Sequence, residues 1–240
     1  MYGRISRCIP AFSLLVIAVV GLTACGSGMP GDVVVQIGDS SISKPTLAHW
    51  TSIEGALVYE NNPRQPVPKG VVPDPPGYAA CIAYLEATAP KPIGSRSTLT
   101  AAQLKSRCRQ KYKALQQHVL DILISSVWQD DAGAEQGITV TDKEAEQELE
   151  RFKRREYPRK GEFQRFLAFS GLSVADELSR IKRNMLATRL QRSIAKKELT
   201  VRQQRALAEA FTKKWTARTS CRAGYVVPGC KQYKGTQSLL

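Results

Sequence analysis

Six cysteines are the residues of this 240-residue chain whose type and spacing most directly indicate chemistry. Four of them, Cys81, Cys108, Cys221 and Cys230, lie well inside the chain. An even number of cysteines in an oxidising compartment predicts disulfides, and four cysteines allow three pairings. The competing interpretation is a metal site, but no C-x-x-C pair or nearby histidine supports it. We therefore expect disulfides, no metal and no cofactor.

The N-terminal segment has the pattern of a secretory signal that ends in a lipobox. Arg4 and Arg7 precede a nearly continuous apolar stretch over 9–24, which is short for a membrane span of about 20 apolar residues. Small residues lead to Cys25 in Leu-Thr-Ala-Cys, and Gly-Ser-Gly follows. This order suits a signal peptidase, with attachment of a diacylglyceryl group to the Cys25 thiol. The alternative is a plain signal peptide or membrane anchor with a chance cysteine.

The lipobox interpretation predicts where the protein is located, and an oxidising location predicts disulfides among the four remaining cysteines. Residues 1–24 are the predicted signal peptide and residues 25–32 a lipidated tether, so the mature protein is extracytoplasmic and anchored to a bacterial membrane. Local pairing, Cys81–Cys108 and Cys221–Cys230, closes the shortest loops and is the predicted scheme. In the chain-entropy model these bonds contribute roughly 3.5 and 2.7 kcal/mol.

Basic residues are concentrated in the second part of the chain. Lys and Arg number 35 against 21 Asp and Glu, a formal net charge of +14. Residues 26–100 carry 5 basic and 6 acidic side chains, whereas residues 101–240 carry 28 and 15. A basic domain suggests nucleic acid, but the export signal argues against that partner. Anionic lipid, wall polymer or an acidic client segment is the better electrostatic partner.

The densest basic cluster has two interpretations. It binds anionic lipid or an acidic client, or it is an exposed face with no partner. It consists of Arg151, Lys153, Arg154, Arg155, Arg159 and Lys160.

No combination of side chains indicates catalysis. The sequence has no Gly-x-Ser-x-Gly, no His-Glu-x-x-His and no P-loop. The glutamates at 144, 146, 148 and 150 lie among Lys and Arg, as on a solvated helix face. His49 stands alone on a predicted helix. We expect no catalytic residue.

The elements that position these residues are predicted to be mostly helical. Residues 33–37 indicate a strand, and Ile42 begins a short return strand after a Gly-Asp turn. Six prolines within 60–78 predict an extended insertion, either a surface loop or a client-contacting arm. Capping residues and helical periodicity predict helices over 43–59, 78–88, 99–136, 141–157, 162–169, 173–199 and 200–218. The predicted caps of the four longer later helices are Thr100, Thr141, Ser173 and Thr200.

The predicted organisation is a helical domain over 33–218 and a disulfide-closed tail over 219–240. Large apolar side chains at helical spacing are expected in the core. These are Trp50, Trp128, Phe163 and Phe166.

Several short stretches carry a family resemblance. They are Gly-Ile-Thr-Val-Thr-Asp at 137–142, Phe-Gln-Arg-Phe-Leu at 163–167 and the cysteine-bearing tail from Trp215. With the order of elements, they resemble the N-terminal chaperone region of the SurA and PrsA foldases over about residues 33–230. The closest likeness is to the actinobacterial extracytoplasmic lipoproteins of that group. The resemblance implies a mainly α, SurA N-terminal-like chaperone domain with a short β-hairpin.

One departure from that family changes the expected activity. The complete foldases carry a parvulin-type prolyl isomerase domain before their last helix. Here Leu199-Thr200 leads directly into the last predicted helix, and the paired histidines of a parvulin site are missing. The resemblance therefore implies a chaperone, and the sequence does not support an isomerase.

Three functional hypotheses follow. The first is a membrane-anchored, noncatalytic holdase or foldase-like chaperone for unfolded exported polypeptides. The second is an envelope interaction lipoprotein that binds anionic lipid, wall polymer or a specific protein. The third, an isomerase without the usual domain, has the least support.

Overall fold

Helices dominate the described part of the chain, in a computed structural model that describes residues 29–59, 66–88 and 99–235. The helical class, the N-terminal hairpin and the disulfide-closed tail agree with the sequence prediction. The predicted signal peptide and Cys25 lie outside the described residues. The elements are β1 (Val33–Ile37), β2 (Ser40–Ser43), α1 (Lys44–Tyr59), α2 (Ala79–Thr88), α3 (Ala101–Glu135), α4 (Asp142–Glu156), α5 (Glu162–Ser170), α6 (Val174–Ala195), α7 (Val201–Arg218) and β3 (Thr219–Cys221).

Capping boxes set the start of four helices. At α3, α4, α6 and α7 the N-cap hydroxyl accepts the N3 backbone N–H, and the N3 side chain accepts the N-cap N–H. The predicted caps Thr100, Thr141, Ser173 and Thr200 are confirmed. The predicted end of α6 at Leu199 is wrong, because the helix stops at Ala195 and Glu198 takes a positive φ of 47°.

A three-stranded antiparallel sheet joins the two ends of the described chain. Its strand order is β2-β1-β3, so β1 is central. The register pairs Val35 with both Ile42 and Cys221. Strand β3 was not predicted, because three residues of Thr-Ser-Cys carry no strand pattern of their own. The N-terminal hairpin is therefore completed by residues from the tail.

Helix α3 is the axis of the packing. Its 35 residues span roughly 52 Å, and it contacts α1, α2 and α6. Trp128 of α3 is 1% exposed, and its indole Nε1 donates to Thr219 Oγ1 at 2.9 Å. The other three predicted core aromatics, Trp50, Phe163 and Phe166, are also buried.

Both predicted disulfides are present. Cys81–Cys108 joins α2 to α3 within a small cluster that also contains Tyr78 and is separate from the main core. Cys221–Cys230 closes the tail, and both of its cysteines belong to the main core. All four cysteines are buried, as structural disulfides usually are.

The described part of the proline-rich segment packs on the domain. Gly55 of α1 has no Cβ, and a Cβ there would lie 2.9 Å from Val72 Cγ2. Asp74 accepts the backbone N–H groups of Ala80 and Cys81, both at 3.1 Å, at the start of α2. For residues 66–78 these contacts favour a docked surface insertion over a client-contacting arm. Residues 60–65 lie outside the described part.

Within the ranges that the structure describes, no helix has both the length and the apolar character needed to cross a bilayer.

Candidate functional site

The predicted basic cluster, on α4 and the loop that follows it, does not form a single surface. Arg151 and Arg155 line a cleft toward α6, whereas Lys153 lies over the Phe163 ring at 5.4 Å. Four of its six cations are paired with carboxylates. The pairs are Arg151–Glu148, Lys153–Glu150, Arg155–Glu156 and Arg159–Glu162. Arg154 and Lys160 are exposed and have no carboxylate partner among the described residues.

The cleft between α4 and α6, here called the arginine cleft, combines charge with an apolar floor. Its volume is about 800 Å³. Phe152, Tyr157 and Ile181 contribute to the floor. Two lining glutamates, Glu148 and Glu177, pair with arginines of their own helices. Five arginines line it: Arg151, Arg155, Arg180, Arg189 and Arg192. Positive charge is therefore in excess.

One ion pair, between Arg189 and Glu144, links α6 to α4 beside the arginine cleft. Arg189 of α6 donates from Nη2 to Glu144 Oε1 at 2.6 Å and from Nη1 to the Thr139 carbonyl. The Arg189 guanidinium, followed by the N–H and hydroxyl of Thr141, lowers the pKa of Glu144 to about 2. The pair joins the start of α4 to the middle of α6.

Glu144→Gln should flatten the acid dependence of stability. Because its folded-state pKa is depressed, the Glu144 carboxylate stabilises the fold above its ordinary pKa of 4.5, and this contribution is lost as pH falls toward about 2. Glutamine at N3 keeps the capping box but removes the charge. Urea midpoints across that window should fall less for Glu144→Gln than for wild type. Glu146→Gln, on the same helix, is the control, and parallel curves for Glu144→Gln and wild type would contradict the assignment.

A serine, an aspartate and a histidine meet at the start of α6, but in an order that performs no catalysis. Asp176 Oδ2 accepts the Ser173 hydroxyl at 2.7 Å, and Asp176 Oδ1 lies 2.9 Å from His49 Nε2. The carboxylate thus stands between the hydroxyl and the imidazole, so the imidazole does not take the hydroxyl proton as in a nucleophilic triad. The arrangement is a helix cap with a hydrogen bond to His49 of α1.

A second cavity, here called the α7 groove, is far less charged. It lies between α3, α6 and α7 and has a volume of about 490 Å³. Lys197 is the one charged residue among its lining residues. Its apolar walls come from Trp128, Leu190, Ile194, Leu207 and Phe211.

Amide side chains surround this apolar surface. Gln129, Gln136, Gln191 and Gln204 belong to the lining. The amides of Gln136 and Gln204 donate to backbone carbonyls of Ala132 and Leu199, which leaves their oxygens as acceptors. An amide both donates and accepts, so it can pair with the N–H and C=O groups of any extended backbone. The groove therefore offers apolar contact with sequence-independent polar contacts.

Helix α7 leaves the groove open because only its C-terminal half is packed. Thr212, Trp215 and Thr216 are buried, whereas residues 201–207 are all exposed. Ile194 and Leu207 are each 37% exposed, although both lie at helical spacing with other apolar residues of their own helices. Their spacing is correct for an apolar stripe, but no neighbouring element in the described part of the chain covers these two side chains fully. Periodicity alone gave no signal that distinguishes an open stripe from a core one.

Other chemistry has little basis in the described side chains. In the three described ranges, no three His, Cys, Asp or Glu side chains come together as metal ligands would. The α7 groove and the arginine cleft are the two candidate functional surfaces. The chain has no match among protein-family models, among curated proteins or among solved structures.

Proposed function

We propose that this chain is a membrane-anchored extracytoplasmic chaperone that holds extended segments of unfolded exported polypeptides and has no prolyl isomerase activity. The signal pattern and Cys25 support export and anchoring. The α7 groove supports client binding. The direct connection from α6 to α7, over residues 196–200, contains no additional domain.

The open α7 groove is the observation that carries the proposal. Partly exposed Leu207 and Ile194 both line it, and burying apolar surface there stabilises a complex by about 25 cal/mol per Å². The exposed half of α7 makes few contacts, so it can adjust to clients of different shape at low energetic cost. Weak, adaptable apolar contact is what a holdase requires.

Ile194→Gln combined with Leu207→Gln should weaken holdase activity roughly tenfold. The two substitutions remove apolar area from the α6 and α7 residues that line the α7 groove, a loss of roughly 1.4 kcal/mol in client binding. The assay is light scattering from a reduced, unfolded exported protein diluted with and without the oxidised mature chain. The half-suppressing chaperone concentration should rise by that factor.

Val174→Gln combined with Val201→Gln is the matched control. These valines lie on the same two helices, are 48% and 76% exposed, and do not line the groove. The control pair should stay within about twofold of wild type, and moderate salt should leave most of the suppression. Equal loss in both pairs, or no suppression by wild type, would overturn the proposal. A measured prolyl isomerase activity would overturn its noncatalytic part.

The arginine cleft favours a second candidate, an envelope interaction protein with an anionic partner. Arg192 has no carboxylate partner among the described residues, and five arginines line the cleft against two glutamates. Binding there would be strongly weakened by salt. Salt-sensitive binding lost in Arg155→Gln with Arg192→Gln, together with unchanged scattering, would favour this second function.

A further inference from the structure

The C-terminal part of the chain has an unusual charge composition. Glu209 is its last acidic residue, and the 31 residues from 210 onward contain no Asp or Glu. Six basic residues lie in this stretch: Lys213, Lys214, Arg218, Arg222, Lys231 and Lys234. Lys214 and Arg218 pair with Glu135 of α3. Lys231 and Lys234 are exposed and have no carboxylate partner within the described ranges.

The same stretch binds residues 29–33, the segment that leads into β1 and is here called the entry point of the chain. Arg222 donates from Nη2 to the carbonyl oxygens of Met29 at 3.0 Å and Pro30 at 2.6 Å, and from Nε to that of Val33 at 2.8 Å. These bonds use the guanidinium donors without neutralising its charge. The entry of the chain is therefore fixed beside a cation.

The two exposed lysines are tied to that entry point by a short series of contacts. The Gln232 amide accepts the Cys221 N–H at 3.1 Å and donates to the Cys221 carbonyl at 3.2 Å. Cys221 precedes Arg222 in the chain. Lys231 donates its backbone N–H to the Thr219 carbonyl at 2.9 Å. Lys231 and Gln232 thus lie along β3, at the edge of the sheet that begins at Val33, and Lys234 follows two residues after Gln232.

The distance to the predicted anchor is short. Four peptide units separate Cys25 from Met29, which is about 14 Å at full extension. With Cys25 acylated, Met29 cannot lie farther than that from the bilayer surface. The surface potential of a membrane decays over a Debye length of about 8–10 Å. Asp32 is the carboxylate on the entering segment, so cations outnumber it at this end of the sheet.

From these contacts we infer that the β3 edge, carrying Lys231 and Lys234 beside Arg222, is a binding surface for anionic phospholipid headgroups of the membrane that holds the anchor. The inference rests on the proposed lipidation of Cys25, and it adds the orientation of the protein relative to the bilayer. In this orientation the sheet edge faces the bilayer. The basic cluster predicted from sequence, on α4 and the loop that follows it, does not supply the contact with the membrane.

Vesicle co-sedimentation of the full mature chain with Cys25→Ser tests this surface without the acyl chains. The probes are phosphatidylcholine vesicles and equimolar phosphatidylcholine–phosphatidylglycerol vesicles at low salt. Binding is expected to the anionic vesicles, and Lys231→Gln with Lys234→Gln should reduce the partition coefficient roughly 30-fold. Circular dichroism verifies that this variant is folded.

Arg154→Gln with Lys160→Gln is the matched control, because both side chains are also exposed and unpaired among the described residues. It should change the partition coefficient less than twofold. No binding by the wild-type sequence, or equal loss in both variants, overturns the inference. Holdase activity is measured in solution without vesicles, so failure here is distinct from failure of the proposed function.

Discussion

Trp128→Ala should lower the free energy of unfolding by about 4 kcal/mol, the largest effect expected of any single substitution considered. The indole is 1% exposed, lies in the C-terminal part of α3 and packs edge-to-face with Phe211 at 6.3 Å. Its removal leaves a cavity where α3, α7 and the tail meet. Urea unfolding followed by far-ultraviolet circular dichroism measures the change, with an unchanged m-value expected.

Trp128→Phe separates packing from hydrogen bonding at this site. Phenylalanine keeps most of the volume but loses the N–H donor to Thr219. The Thr219 hydroxyl still donates to the Trp215 carbonyl at 2.8 Å, so the expected cost is only about 1–2 kcal/mol. A loss below about 1 kcal/mol in Trp128→Ala would contradict the placement of the indole in the core. Because Trp128 also lines the α7 groove, this variant is unsuitable for the holdase test.

Replacing both Cys81 and Cys108 by Ala should cost about 3.5 kcal/mol. The bond closes 27 residues, so its loss returns substantial conformational entropy to the unfolded chain. The loss of local stability should be greatest in α2, because its small cluster with Tyr78 is separate from the main core. Urea unfolding gives the free energy, and amide exchange should show lost protection in α2 with protection retained in α1.

Removal of the other disulfide is the comparison for that experiment. Cys221–Cys230 spans 9 residues, for which chain entropy predicts a smaller contribution of about 2.7 kcal/mol. Both of its cysteines pack in the main core, however. A larger loss for this shorter loop would show that packing outweighs loop length and would contradict the entropic ranking.

Local signals made much of the secondary structure predictable from sequence. Each capping box is complete within four residues, so Thr100 or Thr141 identifies a helix start without knowledge of the fold. Cysteine spacing similarly favoured the correct local pairing. The core positions of Trp50 and Trp128 followed from helical periodicity.

Features that depend on distant partners were not predictable in this way. Strand β3 forms only because β1 offers it a free edge. The α4 cluster divides because Arg151 and Arg155 are four positions apart and share a face, whereas Lys153 lies on another. The open stripe of α7 and the Arg222 contacts with Met29 likewise arise from tertiary packing. The candidate sites therefore required the structure.

The pairing of β1 with β3 has a consequence for the timing of folding. A chain produced from its N-terminus presents the apolar strand Val33–Ile37 early, while the residues that cover its second edge, Thr219–Cys221, follow much later in the sequence. Until Thr219 arrives, that edge is an unpaired row of backbone donors and acceptors, the arrangement that promotes aberrant strand association. Synthesis of β3 is therefore the condition for closing the sheet.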